Sequence, residues 1–242
     1  MRDVTNNPYE APKADVNAQA VDPGPSGSLE DALAGRYDFD IGQVMREAWE
    51  LTRGMKASFW GAAIIVYAIL FVFALIAGSV AGKSLPLRFL TNVAFGTVSP
   101  VLFIGIIMMG VRRAAGLPIN FSTAFSCFDR VVPVFFAGLL TTLLTYVGLL
   151  LLVIPGVYLV IAYCMTMPLI ADRRLSPWQA IETSRKAVTK RWFQYFGLLL
   201  VVGLLVGLSA LPIGIGLIWT APWGINVIGV VYRRTFGVVQ TI

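Results

Sequence analysis

Two stretches of 41 residues, 131–171 and 192–232, contain no Asp, Glu, Lys or Arg. Between them, 172–191 carries six basic residues, Arg173, Arg174, Arg185, Lys186, Lys190 and Arg191, against two acids, Asp172 and Glu182. A membrane-spanning helix needs about 20 apolar residues, so each run is long enough for two. Turn residues break each run near its middle, at Ile154-Pro155-Gly156 and at Leu211-Pro212-Ile213-Gly214. The order is hairpin, basic amphipathic helix, hairpin.

Composition agrees. Of 242 residues, 57% are hydrophobic and 13% charged, where a soluble domain has about a quarter charged. A net charge of +6 raises nucleic acid as a partner. That reading is set aside, because the basic residues gather at the ends of apolar runs, where anionic headgroups draw them. The chain has no histidine, which removes the commonest general base and metal ligand. Cys127 and Cys164 form no CxxC pair, so no zinc site or disulfide framework follows. The expectation is a protein without cofactor, metal or catalytic residues.

Residues 1–35 are polar and rich in Pro, Ala, Gly and Asp, and read as a disordered tail. The tail lacks the basic start and apolar core of a cleaved signal. Residues 40–53 read as an amphipathic helix lying on the membrane, capped by Asp40, with Glu47 on its polar side. Two further amphipathic helices are expected at 120–130 and 176–191. The start of the last is marked by Ser176, Pro177 and Gln179, a capping box with proline at the first helical position. Spans are expected at about 57–81, 92–111, 131–153, 157–171, 192–211 and 214–232. The fold class is therefore all-α and polytopic, six transmembrane helices in three hairpins, each preceded by a cytoplasmic amphipathic helix. The pattern suggests three structural repeats.

Fifteen basic residues fall on one side of this layout, and two, Lys83 and Arg88, on the other. Both termini are expected in the cytoplasm.

No charge lies inside a span, which argues against proton-coupled transport. The mild polar residues Thr141, Thr142, Thr145 and Asn226 serve either helix contact or a polar substrate path. Gly78-x-x-x-Gly82 and Gly203-x-x-x-Gly207 are expected to pack helices internally, with dimerisation as the alternative. Asp129, Asp172 and Glu182 read as solvated or paired surface charges. The basic set Arg173, Arg174, Arg185, Lys186, Lys190 and Arg191 is a candidate contact for anionic lipid headgroups, or a plain topology determinant.

From Ile154-Pro155-Gly156-Val157-Tyr158 onward, the IPG turn, the Leu175-Ser176-Pro177-Trp178-Gln179-Ala180 helix start and the Ser184-Arg185-Lys186 segment form a recognisable set. Gly214-Ile215-Gly216, Trp219, Pro222-Trp223 and Tyr232 complete it. The set resembles bacterial six-helix membrane proteins. These include the YciC-like proteins and the membrane domain fused to some glycerophosphodiester phosphodiesterases. The resemblance implies the six-helix fold and a bacterial inner membrane, and carries over no enzymatic activity. The leading functional expectation is a non-enzymatic protein that organises membrane lipid or a partner at the cytoplasmic face. The alternatives are a transporter or channel for a small neutral or amphiphilic solute, and a membrane enzyme acting on lipid.

Overall fold

The computed structural model describes residues 24–239. Among them are ten α-helices, two short 3-10 turns and no strand. Five helical segments are long and apolar enough to cross a membrane: Lys56–Ala81, Leu85–Ala114, Phe121–Leu151, Val153–Arg173 and Trp192–Ala210. Their outward faces are strongly apolar. Phe71, Leu75, Ile76, Leu204 and Leu208 are all more than half exposed, far more apolar surface than a soluble monomer shows.

The end of the expected tail is ordered. α1 (Leu29–Ala34) has both its caps, with Asp31 N donating to Ser28 Oγ at 3.0 Å and Gly35 left-handed at φ 77. A six-residue helix does not stand alone in water. This one buries Ala32 and is seated on two later helices described below. Residues 1–23 of that tail lie outside the described residues.

α2 (Ile41–Leu51) starts where expected, with Gln43 N donating to Asp40 Oδ1 at 2.7 Å. Its apolar side is buried by protein rather than laid on a membrane. Val44, Ala48 and Leu51 are buried, and the partner is α10 (Leu217–Phe236), whose Trp223 indole donates to Met45 O at 2.9 Å.

α3 (Lys56–Ala81) and α4 (Leu85–Ala114) form the first hairpin. At 1.5 Å per residue they are about 39 and 45 Å long. α3 packs through Phe59, Ala62, Ala63, Val66 and Leu70, one helical stripe, against Ile106 and Met109 of α4. α4 begins seven residues before the expected 92, because Pro86 fits a first turn whose N–H groups have no helical partner.

No α-helix forms at 120–130. Two 3-10 turns, Phe121–Phe125 and Phe128–Arg130, take its place. Asn120 and Thr123 close a reciprocal cap, with Thr123 N donating to Asn120 Oδ1 at 3.0 Å and Asn120 N to Thr123 Oγ1 at 3.1 Å. Local side-chain bonds of this kind compete with the α-helical ladder. The segment also rests directly on α4: a Cβ on Gly105 would stand 1.6 Å from Ala124 O.

α5 (Val131–Leu151) turns through a single residue into α6 (Val153–Ala162), which leads through a turn into α7 (Thr166–Arg173). α8 (Pro177–Lys190) has the predicted capping box, with Ser176 N donating to Gln179 Oε1 and Gln179 N to Ser176 Oγ. α9 (Trp192–Ala210) and α10 complete the chain. α1 packs against α8 and α10.

α10 is not among the five apolar segments. Trp223, Asn226, Tyr232, Arg233 and Arg234 interrupt its apolar run. It is instead largely enclosed by protein, packed by α1, α2, α3, α4 and α9. It crosses α4 at two glycines: a Cβ on Gly229 would stand 2.2 Å from Gly110 O, and one on Gly110 would stand 2.4 Å from Ile225 O.

The two GxxxG patterns do not pack helices inside the described chain. A Cβ on Gly78, Gly82, Gly203 or Gly207 would meet nothing within 4 Å. The three expected repeats also differ locally, since 120–130 forms 3-10 turns where the other two have α2 and α8.

The candidate functional site

The basic residues of 172–191 have different settings in the fold. Arg173 turns inward and donates from Nη2 to Phe236 O and Gly237 O, tying down the end of α10. Arg185 and Lys186 both pair with Glu182, at 2.9 and 3.2 Å. The Arg185 hydrogen bond, then that of Lys186, holds the Glu182 carboxyl below its usual range. The stem of Lys190 packs beside Gly35 at the end of α1. Arg191 is exposed.

Arg174 has a different setting. It lines a cavity of about 220 Å³ with Arg112 at the end of α4 and Arg130 at the start of α5. Ser126, Cys127, Asp129 and Asp172 complete its polar lining. Arg174 sits in the left-handed region at φ 56, uncommon for a non-glycine residue and held here by the end of α7. The acids at this cavity are already engaged. Asp129 pairs with Arg130 at 3.0 Å. Asp172 is buried, contrary to the solvated reading, and accepts from Tyr232 OH at 2.7 Å and from Val239 N. Among the described residues, the side chains of Arg112 and Arg174 have no ion pair or hydrogen bond, and Arg112 Nε is buried. The geometry leaves two guanidinium groups available beside a third.

Thr141, Thr142 and Thr145 come together as their spacing suggested. They line a groove of about 420 Å³ between α4, α5 and the α6–α7 arm, with Asn92, Gly96, Pro100, Tyr146 and Tyr163. Thr141 Oγ1 donates back to Ala137 O at 2.7 Å. No charged residue lines the groove. Asn92 also lines a neighbouring cavity that contains Arg88, whose Nε donates to Gly82 O at 3.2 Å.

Asn226 belongs to neither cavity. It is fully buried on α10, and its Nδ2 lies 3.2 Å from Thr52 Oγ1 and 3.4 Å from Ala48 O. Its role is to pin α10 to α2. About two turns further along α10, Arg234 and Arg233 reach Glu47 of α2, at 2.8 and 2.6 Å. The Arg233 contact is an ion pair and not a hydrogen bond. Glu47 was expected on the solvated side of its helix; it is partly exposed at 22%, while its partner Arg233 is buried at 2%.

Sequence reasoning missed Arg112 and Arg130 as cavity residues, because nothing in their spacing connects them with Arg174. The usable signal was that all three flank apolar segments on the same side. Among the described residues, no three His, Cys, Asp or Glu side chains form a group that could hold a metal ion. Comparison with protein-family models, with curated proteins and with solved structures found no match.

Proposed function

We propose that this is a non-enzymatic multi-pass protein of a bacterial inner membrane, and that it holds anionic lipid headgroups at its cytoplasmic face. Six spans, with α10 as the sixth and both termini cytoplasmic, belong to the same proposal. So does the likeness to the YciC-like proteins. The strong asymmetry of basic residues supports the orientation.

The observation that carries the reading is the arginine cavity. Arg112, Arg130 and Arg174 surround about 220 Å³ at the basic end of the spans. Guanidinium groups suit phosphate oxygens, which they bind through paired N–H donors. Each basic side chain near an anionic leaflet contributes roughly 1 kcal/mol. Trp49, Phe121, Phe128, Trp178 and Phe193 are exposed around the same end, the aromatic composition of a headgroup boundary.

Thermal unfolding of the detergent-solubilised protein tests this. Phosphatidylglycerol is expected to raise the midpoint more than phosphatidylcholine does. An Arg112→Gln, Arg174→Gln variant should bind phosphatidylglycerol about tenfold more weakly or worse. Equal stabilisation by both lipids, or an unchanged response in the variant, would remove the proposal.

The groove beside α5 favours a second reading, passage of a small neutral or amphiphilic solute. Its test is flux in liposomes, which should disappear in a Thr141→Val, Thr145→Val variant. Flux unaffected by that variant would discard it.

A further inference from the structure

We infer that the groove between α4, α5 and the α6–α7 arm is a binding site for an uncharged amphiphile carrying a hydroxyl or carbonyl group. The inference shares its groove with the passage reading but needs no net movement, so binding can hold where flux fails.

Depth is the first argument. Thr141 and Thr145 lie ten and fourteen residues into α5, about 15 and 21 Å from its basic end. That is the hydrocarbon interior of a bilayer about 30 Å thick. Polar groups at this depth need partners, because lipid tails offer none. The second argument is that the partners are missing. Thr141 bonds its own helix. Among the described residues, the side chains of Thr145 and Tyr146 at this depth make no hydrogen bond, and neither do those of Tyr163 and of Asn92, which lines the groove about 30 Å from the basic end of α4. The groove thus offers hydroxyl and amide groups, both donors and acceptors.

Its size and wall chemistry select the ligand. A volume of about 420 Å³ lies within the usual range for small-molecule sites. The absence of charge from its lining disfavours a phosphate. Leu149 and Val160 give it apolar flanks, suited to the first carbons of a chain. Pro100 removes one backbone donor from α4 within the same wall. A neutral glycerolipid or long-chain alcohol fits this description, with its polar group on Thr145 and the tyrosines and its tail in the bilayer.

Photolabelling tests the inference. The probes are a diacylglycerol and a phosphatidylglycerol carrying the same tail diazirine, each reconstituted with the full chain in phosphatidylcholine vesicles. Adducts are mapped by peptide mass spectrometry. The diacylglycerol is expected to label 92–100 and 141–149 about fivefold more than the phosphatidylglycerol does. Unlabelled diacylglycerol should compete. A Thr145→Val, Asn92→Leu variant should lose about tenfold in labelling while its labelling elsewhere stays unchanged. Equal labelling by both probes, or an unaltered pattern in the variant, overturns the inference. The competition experiment on the unmodified chain decides the question even where the variant folds poorly. Because Arg112 and Arg174 are untouched, failure here leaves the headgroup proposal standing.

Discussion

A Glu47→Gln variant is expected to be among the least stable single substitutions in this chain. Glu47 neutralises two guanidinium groups, Arg233 at 2% and Arg234 at 12% exposure. Arg233 reaches one further acceptor, Ala114 O. Removing one partner of a buried ion pair leaves an uncompensated charge and costs about 3–5 kcal/mol. The same substitution at exposed Glu50, three residues on, is expected to cost within about 0.5 kcal/mol. Thermal midpoints in detergent measure both. Adding Arg233→Met to Glu47→Gln should recover part of the loss, since an apolar replacement of a buried ionic group is often tolerated. Equal midpoints for the Glu47 and Glu50 variants would show that α2 is not held by charge.

Gly229→Ala is the second large effect. A Cβ at that position stands 2.2 Å from Gly110 O and 2.4 Å from Gly110 C. Both are backbone atoms, so no rotamer change relieves the contact, and α4 and α10 must separate. Overpacking of this kind costs about 1–3 kcal/mol, and the upper end is expected here because the obstacle is main chain. Gly203→Ala is the control. Its Cβ meets nothing within 4 Å, and alanine gains about 0.5–1 kcal/mol over glycine inside a helix. The two variants should therefore move the midpoint in opposite directions. A Gly229→Ala protein as stable as the parent would contradict the close α4–α10 crossing.

These two cases mark the boundary of what the sequence discloses. Apolar runs and capping residues report local physics, so the long helices and the Asp40 and Ser176 starts were legible. The hydroxyl face of α5 was legible for the same reason, because residues four apart share a helix face. Segment 120–130 was not, because the Asn120–Thr123 cap and the seat on Gly105 override the helical pattern. Glu47 looked solvated on its own helix, and only the return of α10 beside α2, some 180 residues later, pairs it with Arg233 and Arg234 and partly covers it. The glycine patterns misled in both directions. Gly78 and Gly203 have the familiar spacing but open surroundings, whereas Gly110 and Gly229 touch across helices and show no joint motif. The arginine cavity is likewise a product of topology. Arg112 and Arg174 end apolar segments and Arg130 begins another, and only the tertiary fold brings them to one site.

The most direct test of the headgroup proposal is native mass spectrometry of the gently solubilised protein. The parent chain is expected to retain an anionic phospholipid, identified by mass after release. The Arg112→Gln, Arg174→Gln variant should lose it while keeping any neutral amphiphile. Retention of the same anionic lipid by the variant, or a parent chain carrying only zwitterionic lipid, would contradict the account.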